Sequence, residues 1–181
     1  EQKELVRGYD YLVQDVVRTK SRLKAAFRSR GISCGGQAVY RKTDHKDWLR
    51  KIDVDALRAR VSSLYEQLDC LTRLRKEAKD AMITGAKKHP SYKILVKQPG
   101  LGPVRSAQIL GIVGTPHRFR TKRQFWPYCG LAVVVHDSGE YEIVDGQRRR
   151  RKRPVRTRGL NKNFNRTLKV VFKGAAKTVI S

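Results

Sequence analysis

Leu5, Tyr9, Leu12, Val16, Thr19, Leu23 and Ala26 follow one another at alternating steps of four and three residues. That rhythm draws one stripe along a helix and predicts a helix running to the neighbourhood of Gly31. A second stripe passes through Leu57, Val61, Leu64, Leu68 and Leu71, then drifts through Leu74 and Ala78 to Met82. Between them lies the turn-rich break Gly31-Ile32-Ser33-Cys34-Gly35-Gly36. Thr43 to Leu49 follows as a short helix with Thr43 or Asp44 as its N-cap. Neither stripe exceeds four heptads, so neither forces a long coiled coil. They predict an antiparallel helical hairpin, with pairing between two copies of the chain, a homo-oligomer, as the sharper alternative.

The character changes after Gly85, which divides the sequence into a helical region, 1–85, and a second domain, 86–181. The second domain opens with a helical module punctuated by glycine and proline. Leu131 to His136 reads as a strand, Asp137-Ser138-Gly139-Glu140 as a turn, and Tyr141 to Val144 as the returning strand of a β-hairpin. A basic run follows, then an amphipathic helix over 165–180 carrying Leu168, Val171, Phe172, Ala175 and Val179 on one face. The expected fold is mainly α: a helical hairpin or coiled-coil-like segment, then a small helix-hairpin-helix domain with a short β-hairpin.

Charge narrows the function. The chain holds 41 Lys and Arg against 16 Asp and Glu, a net +25 over 181 residues. Residues 1–80 contribute 19 basic and 12 acidic side chains, net +7, and residues 81–181 contribute 22 and 4, net +18. A compact body so charged repels itself, and a polyanion is the partner that relieves the repulsion. No apolar run reaches the ~20 residues of a membrane-spanning helix and no signal peptide opens the chain, so nucleic acid is favoured over a membrane. Cys34, Cys70 and Cys129 are scattered and odd in number, which argues for a reducing compartment rather than a disulfide framework. His45, His89, His117 and His136 show no ligand spacing with the cysteines, so no metal site is expected in this chain. The first residue is Glu1 rather than Met, and the expectation is that a larger protein continues upstream.

Residues 94–110 carry the most specific local signal. Gly100-Leu101-Gly102 suits a tight turn between helices, where both glycines would supply backbone conformations with positive φ. Pro103 fits the first turn of the next helix, Leu101 plugs the hairpin, and Ala107 allows close helix approach. Exposed N–H groups at the start of that helix form a phosphate site that needs no base contact. Lys97 and Arg105 flank it. The pattern resembles the helix-hairpin-helix of DNA repair and recombination proteins; an ordinary Gly-Pro helix connection is the plainer reading.

Beyond it, Arg118, Arg120, Lys122 and Arg123 interleave with Phe119, Phe125, Trp126 and Tyr128. Aromatic rings among cations suit unpaired bases, although Phe125 and Tyr128 are better read as core. Arg148, Arg149, Arg150, Arg151, Lys152 and Arg153 form an unbroken basic run, with Arg156 and Arg158 beyond, suited to releasing counter-ions from a phosphate backbone.

Three blocks then stand in order: Pro99-Gly100-Leu101-Gly102-Pro103 with Ala107; Phe119-Arg120 through Tyr128-Cys129-Gly130-Leu131; and Ser138-Gly139, followed by Thr157-Arg158-Gly159 and Asn165-Arg166-Thr167-Leu168-Lys169 to Gly174-Ala175-Ala176. Together they resemble the C-terminal transposase domain of insertion-sequence recombinases guided by a bridge RNA. The resemblance covers residues 90–180, and residues 1–85 are similar to the helical linker before that domain. It implies a cytoplasmic, nucleoid-associated prokaryotic protein that binds DNA and a structured guide RNA. It also implies a serine nucleophile, which Ser138 matches, and an upstream RNase-H-like domain whose four carboxylates hold Mg²⁺. No counterpart of that domain occurs in these 181 residues, and the long basic insert after Asp145 departs from the shortest family pattern. Read from the residues alone, Ser138-Gly139 suits a hairpin turn equally well. Two other readings stand beside the recombinase: a helix-hairpin-helix module that only binds DNA or RNA, and a metal nuclease using Asp137, Glu140, Glu142 and Asp145.

Overall fold

The computed structural model describes residues 1–135, 141–150 and 157–181. Its contacts divide the chain into two compact units, Glu1–Ile94 and Leu95–Ser181. Mainly helical architecture holds in both.

In the first unit, helix α1 (Gln2–Arg28) and helix α3 (Asp55–Lys87) form the long arms of an antiparallel hairpin. Gln2, at the start of α1, donates its side-chain amide to the Met82 carbonyl near the end of α3 at 3.1 Å. At the other end Val16, Leu23, Ala26 and Phe27 of α1 share a core with Val61, Tyr65 and Leu68 of α3. The expected stripe therefore faces the other arm of the same chain, buried at Val16, Thr19, Leu23 and Ala26 and partly buried at Leu5, Tyr9 and Leu12. A fully buried large apolar side chain contributes roughly 1.5–3 kcal/mol. Phe27, off the stripe, is fully buried because the connection between the arms folds back over it. That connection includes a 3-10 turn (Ala38–Tyr40) and helix α2 (His45–Arg50), and it brings Val39, Ile52 and the Trp48 ring, 5.3 Å from Phe27, into the same core. Asp44 is the N-cap residue of α2, but its side chain makes no capping bond; it accepts from the Thr43 hydroxyl instead, at 2.6 Å.

Gly85, where the composition changes, is not a helix end. It lies inside α3, and a Cβ there would stand 2.6 Å from Gln2 Oε1 and 2.8 Å from Leu5 Cδ1, so its missing side chain lets the start of α1 pack close. Helix α4 (Pro90–Val96) straddles the division between the units.

The second unit continues with α5 (Pro103–Val113), α6 (Lys122–Tyr128) and α7 (Arg166–Ile180). Asn165 caps α7, its side-chain oxygen accepting from the Leu168 N–H at 3.0 Å. Leu168, Val171 and Ala175 of α7 pack with Leu101, Ile109 and Cys129, while Val179 at the end of the same face stays more than half exposed.

Strand pairing differs from expectation. Strand β1 (Val133–Val135) does not return into Tyr141–Val144; it pairs antiparallel with β4 (Thr157–Leu160), Val133 opposite Leu160. Strand β2 (Tyr141–Val144) pairs with β3 (Gln147–Arg150) as the tight hairpin. The reason is Asp145-Gly146, whose φ angles of 53° and 76° make the two-residue turn with both central residues left-handed that matches strand twist. Asp137-Ser138-Gly139-Glu140, expected from sequence to be the hairpin turn, lies outside the described residues.

Candidate nucleic-acid interface

The turn between α4 and α5 is built as expected in part. Leu101 is buried against α7, Pro103 opens α5, and Ala107 is fully buried. Gly100 has φ +72°, the left-handed conformation that glycine adopts cheaply. Gly102 does not: at φ −71° and ψ 177° it is the extended N-cap of α5, a conformation open to any residue, and the space around it is empty. The expectation that both glycines need positive φ is corrected. Gly100 carries a second constraint that sequence reading missed, because a Cβ there would run into the backbone carbonyl of Ala175 on α7.

Arg105 also turns inward. Its Nη1 donates to the Gly100 carbonyl at 2.6 Å and to Thr178 Oγ1 at 2.9 Å, tying the turn to the end of α7. A guanidinium so engaged works first as a clamp of the fold. Arg105→Met should lower the stability of this unit by about 1–3 kcal/mol, the worth of hydrogen bonds made by a charged group. DNA affinity of the folded variant, measured at a temperature where it stays native, should fall no more than loss of one charge predicts. A collapse of affinity with unchanged melting would make Arg105 a phosphate ligand instead.

Other predicted residues face solvent. Lys97 and Gly102 at the turn, and Arg120, Lys122 and Arg123 at the start of α6, are exposed. Arg118 is exposed but anchored, its guanidinium 5.0 Å from the Phe119 ring and 4.8 Å from the Tyr128 ring. Phe125 and Tyr128 are core: Phe125 lies edge-on to Phe119 and Phe172, at 5.1 and 6.0 Å between ring centres, and Tyr128 is 5.3 Å from Phe119. Trp126 is 46 % exposed on the same short helix.

On the ribbon, Arg148 and Arg149 are exposed on β3, opposite Ile143 and Glu142, and strand alternation sends them to opposite faces. Arg148 covers the Tyr141 ring at 4.4 Å. The β2–β3 ribbon is exposed along β2, Ile143 at 79 %. An exposed two-stranded ribbon carrying arginines has the width to enter a duplex groove. Arg150 ends β3, and Arg158 lies on β4. Arg151, Lys152, Arg153 and Arg156 lie outside the described residues, as does Ser138, in the segment between β1 and β2.

Cys129, the thiol closest in sequence to Ser138, is fully buried, and burial pushes its pKa up to about 11. At neutral pH it stays a protonated core group, not a nucleophile. Among the described residues, no three His, Cys, Asp or Glu side chains come together as a metal site. Nor is any helix among them long and apolar enough to cross a membrane.

The base of the β1–β4 pair is held by Asn161. Its N–H donates to the Ala132 carbonyl at 3.0 Å, and its side chain exchanges hydrogen bonds with the backbone of Asn163 at 2.9 and 3.0 Å. The Asn165 N–H then reaches the Tyr128 carbonyl at 2.9 Å, linking α6 to the start of α7.

This frame of turn, aromatic helix and strands can be set against known proteins. Residues 92–160 match the IS116/IS110/IS902 family of transposases. The matched segment holds the Gly100 turn, α5, α6 and the four strands found among the described residues, and it stops short of α7. The mini-circle putative transposase for IS117 of Streptomyces coelicolor is 30 % identical over 91 residues, which make up 50 % of this chain and 22 % of that protein. The chain thus spans under a quarter of that relative's length. No solved structure matches the chain.

Proposed function

We propose that this chain is the DNA-binding, nucleophile-bearing part of a transposase that works with a guide RNA. The observation that carries the proposal is the match of residues 92–160 to a transposase family, in the half of the chain that bears net +18. In this reading the α5 N-terminus, the cations of α6 and the β3 arginines hold phosphates without reading bases, and sequence choice is left to base pairing.

Ser138 is the proposed nucleophile. Its Oγ attacks a DNA phosphorus, the bond from phosphorus to one deoxyribose oxygen breaks, and that oxygen leaves with the proton the serine gives up. The other DNA end stays joined to Oγ as a phosphoserine ester. A serine hydroxyl needs activation to do this. The metal-binding carboxylates that the family resemblance implies would belong to an upstream domain, and in this reading this chain supplies the hydroxyl and holds the phosphates. A module that only binds DNA or RNA is the competing outcome.

Two measurements test the proposal. Should the second unit neutralise on the order of 6–10 phosphates, affinity for duplex DNA should fall by ~10³–10⁵ between 50 and 200 mM salt. A nearly flat salt response would remove the electrostatic basis of the reading. The chemical step is tested by denaturing capture of DNA bound covalently to protein, with the attachment mapped by mass spectrometry; Ser138 is the expected site.

A further inference from the structure

The first unit has a groove of its own. It is an open trough of about 940 Å³ between α1 and α3, roofed at one side by the turn that carries Tyr40. Lys20, Arg75, Lys76 and Lys79 line it together with the rings of Tyr9 and Tyr40. Asp69 is the acid in its wall, and Lys42 already neutralises it at 3.7 Å. Arg73, also in the wall, is held by Glu77 at 2.8 Å. Lys20 and Lys24 stand over the Tyr40 ring at 4.6 and 5.3 Å. A cluster of cations gathered in a concave place, with little acid to offset it, concentrates positive potential there.

We infer that this trough is a binding site for a single strand of nucleic acid, separate from the duplex-binding surface proposed for the second unit. Three features choose the occupant. The wall residues on α3 run from Leu68 to Lys79, about 16 Å of helix, so the cations track an extended polyanion rather than one small anion. Packed helices have axes roughly 8–10 Å apart, and a trough between two of them admits one strand but not the cylinder of a duplex. Tyr9 and Tyr40 line the trough among its cations, and aromatic rings set among cations are the pairing by which unpaired bases are held without sequence preference. An acidic polypeptide would satisfy the charges and leave the rings idle.

The inference uses none of the residues assigned to the second unit, so it stands or falls apart from the transposase reading. The test measures binding of the full chain to oligo-dT and oligo-rU of about 12 nucleotides, within the site size of single-strand grooves, across a salt series. The triple variant Lys20→Gln/Lys76→Gln/Lys79→Gln should reduce the salt slope for both strands by about 2, three phosphates at ~0.7 each. Its slope for a duplex of equal length should not change. A control triple, Lys3→Gln/Arg60→Gln/Lys88→Gln, removes the same charge from exposed positions that do not line the trough and should leave the single-strand slope near wild type. An iodouridine-bearing strand should photo-crosslink to Tyr9 or Tyr40. Equal slope changes in the two triples, or crosslinks confined to the second unit, would overturn the inference. So would displacement of the strand by poly-glutamate as effectively as by oligo-rU, which would make the trough a site for an acidic protein. Circular dichroism and melting of both triples show whether each is folded before its slope is read.

Discussion

Ser138→Ala is expected to abolish DNA strand cleavage while the protein–nucleic acid complex still assembles. On the proposed reading, the assay supplies the carboxylate domain, divalent metal, guide RNA and matching DNA that such a transposase would need. Removing one hydroxyl deletes the proposed nucleophile but no charge, so the phosphate contacts proposed for the α6 cations and the β3 arginines should survive. In a serine protease, loss of the attacking serine alone costs a factor on the order of 10⁶ in kcat, and a loss of similar scale is expected here. Ser138→Cys should retain at most a trace, because a thiolate attacks well but forms a poorer phosphoryl link. The decisive readout is the covalent DNA–protein adduct. If the alanine variant still cleaves, or if the adduct maps elsewhere, the serine assignment is wrong. Cleavage with no adduct, lost on changing Glu142, would instead favour the metal-nuclease reading.

Gly100→Ala should destabilise the second unit more than any other single glycine change in the turn. The substitution forces an L side chain into φ +72° and drives a Cβ into the backbone of Ala175. The conformational cost alone is about 1–3 kcal/mol. The clash adds to it, because α7 must withdraw, and with it the bond from Arg105 to Thr178. A total of roughly 3 kcal/mol would lower the melting temperature of a unit this size by about 12–24 °C, at roughly 4–8 °C per kcal/mol. Gly102→Ala is the matched control: with ordinary φ and open space it should change stability by about 0.5 kcal/mol or less. Differential scanning calorimetry of the two variants decides. Similar melting of both would mean that the turn is not held against α7 as described.

The helical stripes were legible because periodicity is local. A residue and its neighbours three and four positions on lie on one face whatever the rest of the chain does. Leu23 and Ala26 of the first stripe and Val61, Leu68 and Met82 of the second are accordingly buried. Phe27 was not legible, since its burial depends on Trp48 and Ile52 arriving from the connection. The difference in strand pairing has another origin. Two turn signals, Asp137-Ser138-Gly139-Glu140 and Asp145-Gly146, compete within ten residues, and the expected hairpin rests on the weaker. Asp-Gly between alternating residues is the stronger local signal. The β1–β4 pairing, by contrast, joins positions more than twenty residues apart and leaves no trace in either strand alone.

Sequence by itself determined the helical hairpin, the Gly-Pro turn with Leu101 and Ala107 inside it, the amphipathic C-terminal helix and the concentration of positive charge in the second half. Each follows from the spacing or chemistry of neighbours in the chain. Only tertiary structure decided which glycine the turn cannot replace, that Arg105 serves the fold, and that Lys20 and Lys79 share one trough. Those depend on α7 lying over the turn and on α3 lying beside α1. Contacts between residues far apart in sequence are set by packing, and packing selects among side chains that look alike in the sequence.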